Sequence, residues 1–411
     1  MLSRRRFTVI ALVSVCTTGM LAAGSAPAAA QRVLDDYAAH HPVPIHYDKV
    51  VDTRGGKFVG FTTPAINDRG TVAFLGYPAG NGAGAGIYTT TNGRHFKTIV
   101  TSNHPKLSSF GPPSLNNWGL VAFRATHHWD GSSNSGVYAG YGPHALAAIA
   151  TTEGDAPYIN FGTYVSVNDG GQVAFHAHQR IGGTVSTGVF LGKLWGRTRA
   201  VATTLTHPEF ASLSEAPHVN NAGIVVFRGV RTPAEGSTQA LLAGRLGGNG
   251  AAQIEVLFDN SQPTLLGGFG DAPYLTNGGT LAFGGAIKGR PAGLGVFTSP
   301  GDGTFATHAT TFVEPFGVLR DPVANVHGLV VFPVIRTADA GGGTAVYATA
   351  PGVKRPFPVV ESGQRLFGGV VEGVEFFRGL NDRNQVVFQY RLKNGVQGIA
   401  VARVGTPRFR N

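Results

Sequence analysis

Sulfur is almost missing from this sequence. Its 411 residues contain one cysteine and two methionines, and all three, Met1, Cys16 and Met20, lie within residues 1–30. A chain trimmed after residue 30 would have no thiol or thioether. That excludes a disulfide framework, a cysteine nucleophile and a thiolate-bound metal, and it fits an oxidising setting outside the cytoplasm. Charge is scarce as well. Lys, Arg, Asp and Glu make up 14% of the chain, against about 25% in an average domain, which argues against a coiled coil, a helical bundle and charged disorder. The formal net charge of +10 is spread thinly, with no basic run beyond Arg6, so nucleic acid is not an expected partner. No apolar stretch is long enough to suggest a membrane span in the mature chain.

What is present is glycine and proline, 60 and 24 residues respectively, or about one position in five. The apolar residues, 42% of the chain, fall in short runs between the glycines. A core assembled from such runs is built of strands. The N-terminus has the layout of an export signal: Arg4, Arg5 and Arg6, a moderately apolar stretch from Thr8 to Gly24, and an A-x-A site within Ala26 to Ala30. Ser3-Arg4-Arg5-Arg6-Phe7 resembles a twin-arginine signal, and a general secretory signal remains the alternative. The expected location is periplasmic or extracellular. Loss of residues 1–30 removes three arginines and no acids, so the net charge of the mature chain becomes +7.

Seven segments share one pattern, an apolar residue, Asn, two variable residues, Gly, a variable residue, Val, Ala or Val, and Phe. The closing residues are Phe74, Phe123, Phe175, Phe227, Phe283, Phe332 and Phe388, spaced 49, 52, 52, 56, 49 and 56 apart. Thr276 replaces the Asn once and Asn384 the Gly once. A period near fifty marks a repeat architecture. Each unit reads as four strands: a run before the Asn, the Val-Ala-Phe strand, a Gly-Ile-Tyr-like strand and a final apolar run. Asn-x-x-Gly makes the first turn, Asn bonding its own backbone and Gly accepting positive φ.

Three residues before the Asn position stands a proline in five of seven units, Pro64, Pro113, Pro217, Pro273 and Pro322. Proline cannot donate to a ladder, so this strand belongs at a sheet edge, as the innermost strand of a propeller blade does. The last unit ends after Ile399 to Val404 without a fourth strand, while a lone strand, Tyr47 to Val51, precedes the first. The expected fold is therefore an all-β, seven-bladed propeller of four-stranded antiparallel blades, closed by the N-terminal strand. The expected organisation is an export signal over residues 1–30, a leader over 31–46, a single propeller over 47–404 and a tail over 405–411.

These units resemble the bacterial secreted proteins described by an NxxGxxAF tandem repeat, over roughly residues 47–404. The resemblance implies no established activity, cofactor or catalytic residue. The repeated Asn and Phe residues read as structural, so function is sought at positions that differ between units. On the face carrying the connections after each Phe strand lie three clusters: Arg124, His127, His128, Trp129 and Asp130; His176, His178 and Arg180; and Arg228, Arg231 and Glu235. Glu153, Asp155, His207 and Glu209 occupy the other set of loops. Convergence of these groups around the ring's opening would make a ligand site. His176 and His178 share one face of a strand, and a third metal ligand would come from His127, His128 or Asp130, with ordinary surface polarity the default reading.

Glu215, Asp271, Arg320 and Asp321 precede the turns of units four to six, either as channel-lining acid and base or as inter-blade pairs. The glycine-rich stretch from Gly80 to Gly86 lacks a crossover helix or Walker lysine, and no G-x-S-x-G elbow exists. Two functions follow as expectations. One is an exported, non-enzymatic binding or scaffold protein, a monomer without cofactor, whose ligand is an acidic polysaccharide or cell-envelope component. The other is a carbohydrate-active hydrolase or lyase using His and carboxylates on the rim of blades two to four.

Overall fold

The computed structural model describes residues 43–80, 84–128, 134–232, 238–248, 251–261, 265–289 and 293–406. They form seven antiparallel sheets, and each sheet is one repeat. Blade 1 runs outward from Phe58–Phe61 and Ala65–Ile66 through Val72–Pro78 and Gly86–Thr90 to Lys97–Thr101. In blades 1, 2, 4, 5 and 6 the inner strand is broken into two short pieces at the proline. Blade 3 has Val165 at that place, and its inner strand, Tyr158–Val167, is continuous. Blade 7, with Arg378 at that place, is also interrupted, between Gly369–Glu375 and the Leu380 bridge, so proline is not the sole cause of the break; the prolines do lie at the edge of their sheets.

The ring closes as the terminal strands require. Ile45–Asp52 pairs antiparallel with Gln397–Val404, from Ile45 opposite Val404 to Asp52 opposite Gly398. It becomes the outermost strand of blade 7, so one sheet contains both ends of the described chain. The Tyr47 hydroxyl donates to Val359 O at 2.5 Å and thereby ties the closing strand to blade 6.

The core is distributed between blades. Seven apolar clusters occur among the described residues, and each joins two neighbouring blades. One unites Val387, Ile399 and Val401 of blade 7 with Phe58, Phe74 and Tyr88 of blade 1. The seven repeated Phe side chains are at most 1% exposed, and truncating such a residue to Ala costs about 3–5 kcal/mol.

The repeated asparagine does more than hold its turn. Its Oδ1 accepts backbone N–H groups of its own turn, as Asn67 does from Arg69 and Thr71. Its Nδ2 donates to the backbone carbonyl of the next blade's residue at the same position. Asn67 reaches Asn116, Asn116 reaches Asn168, Asn168 reaches Asn220, Asn220 reaches Thr276, Asn325 reaches Asn381, and Asn381 returns to Asn67, at 2.8–3.3 Å. The following residue completes a parallel circuit of backbone N–H to side-chain oxygen bonds: Asp68 to Asn117, Asn117 to Asp169, Asp169 to Asn221, Asn221 to Asn277, Val326 to Asp382, and Asp382 to Asp68. In both circuits, the link from blade 5 to blade 6 is the one not made through these side chains. Thr276 has no amide to donate, and Val326 has no oxygen to accept. Asn384, in place of the turn glycine, takes φ 55, the left-handed region that Asn tolerates better than most residues.

Two outcomes follow. Thr276→Asn should extend the girdle to the Asn325 carbonyl and raise stability by about 0.5–1.5 kcal/mol, the net worth of one hydrogen bond; an unchanged denaturation midpoint would show that the gap costs nothing. A chain beginning at residue 53 exposes the edge of Gln397–Val404 and should self-associate and melt at least about 5 °C lower than the full chain, measured by light scattering and calorimetry.

Candidate functional site

The inner strands surround a channel, and blade 7 closes it. Where five blades have proline, blade 7 has Arg378, a non-glycine residue at φ 51. Its guanidinium crosses the channel and donates to Ala216 O and Pro217 O of blade 4 at 2.6 and 3.0 Å, and to Pro273 O of blade 5 at 3.3 Å. The adjoining Phe377 ring stacks on Tyr164 of blade 3 with centroids 4.2 Å apart. Burial lowers the Arg378 pKa to about 10, opposed by Tyr274, Asp321 and Tyr164. Beside it, His218 stacks on Tyr274 at 4.0 Å and accepts the Leu275 N–H. Both rings keep some open surface, but it faces the enclosed channel.

The plug divides the channel into two spaces. On the side of the asparagine turns is a cavity of about 140 Å³, bordered by Asp68, Asp169 and Asp382. On the opposite side is one of about 950 Å³, floored by Tyr164 and Phe377 and lined mainly by residues of blades 4 to 7. Glycine makes this larger room. The residue after the repeated Phe is Leu75, Arg124, His176, Arg228, Gly284, Pro333 or Gln389 in the seven blades, and Gly284 and Pro333 line the cavity. Asp321 of blade 6 lies against the blade 5 glycines, and a Cβ on Gly270 would stand only 1.6 Å from its Oδ1. Its carboxylate accepts the Ala272 N–H at 3.0 Å. Burial raises its pKa; the Ala272 hydrogen bond opposes this, Asp271 adds to it, and Arg378 and Arg228 oppose it. Arg228 donates to Phe269 O and to Asp271.

The candidate residues divide into groups. His176 and His178, on the second strand of blade 3, come together with Glu215 of blade 4, and Arg124 of blade 2 feels the Glu215 charge. Among the described residues, the acidic group beside the histidine pair is Glu215 of blade 4; of the third ligands expected from blade 2, Asp130 lies outside the described residues, and His127 and His128 make other contacts. His127 turns into its own blade, with Nε2 2.8 Å from the Tyr138 hydroxyl and Nδ1 2.9 Å from Glu153. Arg231 likewise pairs with Asp259 and covers the Phe210 ring. His128 is exposed and meets His104 O, and Arg180 is exposed at the strand end. Trp129, Asp130 and Glu235 lie outside the described residues. Of the four residues preceding the turns, Asp271, Arg320 and Asp321 line the large cavity, and Glu215 adjoins it through Ala216.

Sequence reasoning missed Phe377, Arg378, Tyr164 and His218. A signal existed for Arg378, because only it and Val165 replace the proline three residues before the turn residue.

The chain belongs to a family of unknown function, DUF7453, which matches residues 48–407. No match was found among curated protein sequences. The fold is similar to the β-propeller domain of the Trilobed protease from Pyrococcus furiosus, with 11% identity, a TM-score of 0.56, and coverage of 86% of this chain and 97% of that one. It is also similar to the Pyrococcus horikoshii acylaminoacyl peptidase, at 9% identity and a TM-score of 0.52, covering 87% of this chain and 53% of that one. Prolyl oligopeptidase B from Galerina marginata shares 10% identity with a TM-score of 0.51, covering 88% and 51%. The chain spans about half the length of these last two, and the likeness is one of fold alone. No helix among the described residues is long and apolar enough to cross a membrane.

Two imidazoles held below their ordinary pKa should make the fold acid-sensitive. Burial, aided by His178, lowers the His176 pKa to about 4, and burial with Arg378 holds His218 well below the usual value. In the unfolded chain both return to about 6.5. The unfolded state therefore binds more protons below that pH, so this stability is complete above about pH 6.5 and is lost as the pH falls towards 4. The melting temperature should drop across that window. His218→Gln, which keeps an acceptor but takes no proton, should make the drop shallower; identical slopes in the two proteins would remove His218 from the account.

Proposed function

We propose that this protein is exported and acts as a ligand-binding propeller, with the large cavity as its site and an acidic polysaccharide or envelope glycan as its ligand. The observation that carries the reading is a blind cavity of about 950 Å³ whose floor is the Tyr164–Phe377 stack. A site of this size is ample for several sugar units, and aromatic faces suit the apolar faces of sugar rings. Arg320 is exposed on its wall, where its guanidinium offers a bidentate donor to a carboxylate. The net charge of +7 left after loss of residues 1–30 favours approach of a polyanion. Export rests on the Arg4–Arg6 segment and the Ala26–Ala30 site.

A second reading, carbohydrate cleavage, is favoured by His176, His178 and Glu215, which combine a base and an acid within 4.8 Å beside the cavity. One experiment separates the two. Acidic and neutral polysaccharides are titrated against the protein, and the mixtures are assayed for new reducing ends and unsaturated uronates. The expected result is salt-sensitive binding to an acidic polymer without product. Arg320→Ala should weaken binding by about tenfold, the worth of one charge-assisted hydrogen bond. Absence of binding across the panel would overturn the proposal, and turnover abolished by His178→Ala would establish cleavage in its place.

A further inference from the structure

The cluster at the junction of blades 3 and 4 has a composition of its own. His176 and His178 lie two residues apart on strand Gln172–Ile181 and therefore on one face, with ring planes at 88° and centroids 5.1 Å apart. Glu215 enters from blade 4, and one ligand atom from each of the three residues lies within 4.8 Å of the others. Ligands bound about 2.0–2.2 Å from one ion are at most about 4.4 Å apart, so a small side-chain rotation would close the set. A second observation points the same way. His176 is 2% exposed, and its Nδ1 is buried without a hydrogen-bond partner. Gly162 leaves the space beside that nitrogen: a Cβ there would lie 3.3 Å from Nδ1 and 3.0 Å from the Glu215 backbone oxygen.

We propose that His176, His178 and Glu215 bind a divalent transition-metal ion, of the zinc or ferrous class, between blades 3 and 4. Two imidazoles and one carboxylate suit such ions better than calcium or magnesium, which prefer all-oxygen shells. Three protein ligands leave coordination positions for water or for an anionic group. Arg124 of blade 2 is the neighbouring cation that the Glu215 charge reaches. This site does not depend on the identity of the ligand proposed for the large cavity.

The test uses the full chain without a histidine tag, stripped with a chelator and dialysed. Zinc is titrated by calorimetry and cobalt(II) by its visible ligand-field absorption. One equivalent of each should bind, with a rise in melting temperature. His178→Ala and Glu215→Gln should each weaken that binding by more than about 100-fold, above the 10–100-fold typical of groups that only orient a ligand. No saturable binding to the wild type, or equal affinity in the wild type and both variants, would overturn the site. Should one variant lose its β-sheet circular dichroism, the other decides, and His178→Gln gives a third measurement on an accessible side chain.

Discussion

The ring depends on one side chain serving two blades at once. A primary carboxamide carries an acceptor and a donor a little over 2 Å apart. In this protein the oxygen closes the turn of its own blade, and the nitrogen holds the turn of the next. Aspartate has no donor, and threonine has one hydroxyl for both tasks. Thr276 shows the consequence, since its hydroxyl accepts the Thr280 N–H and the link onward to Asn325 is not made. At the same interface Asp321 supplies another bond, taking the Ala272 N–H from across the blade boundary. The room for this buried carboxylate comes from Gly270 and Gly284 of blade 5, where a Cβ would lie 1.6 and 2.9 Å from its Oδ1.

Closure gives the girdle its value. Each bond is worth only about 1 kcal/mol net, but the circuit from Asn381 to Asn67 joins residues 314 apart in sequence. The same interface is sealed by the apolar cluster of Val387, Ile399, Phe58 and Phe74, and by the ladder of Ile45–Asp52 on Gln397–Val404. Polar circuit, apolar wedge and terminal strand therefore act on one seam. Blade 7, which bears that seam, also sends Arg378 through the centre to blades 4 and 5. Its guanidinium satisfies carbonyl groups beside Pro217 and Pro273, where a proline ring has already removed a ladder donor.

Seven similar units provide seven similar positions, and the chemistry lies where those positions diverge. The residue after the repeated Phe differs in every blade except 2 and 4, and its sequence of identities makes a repetitive ring chemically asymmetric. Arg124, His176 and Arg228 crowd blades 2 to 4 with polar groups, while Gly284 and Pro333 open blades 5 and 6. The cavity and the histidine cluster are thus neighbours because their blades are neighbours.

The sequence by itself determined the number of blades, the composition of each turn, the edge position of the proline strands and the terminal strand that completes the ring. These features follow from local rules: a fixed period, glycine at positive φ, asparagine bonding its own turn, and proline unable to donate. The pairing of particular side chains was decided by tertiary structure. Nothing near His127 announces that it will face Glu153 and Tyr138 within its own blade, while Glu215 from the next unit meets His176 and His178. Arg378 was visible as a departure from proline, but its partners lie 105 to 162 residues away. Which long side chain reaches which carbonyl depends on the diameter of the closed channel and on the space left by glycine on the facing blade, and both exist only once the ring is complete.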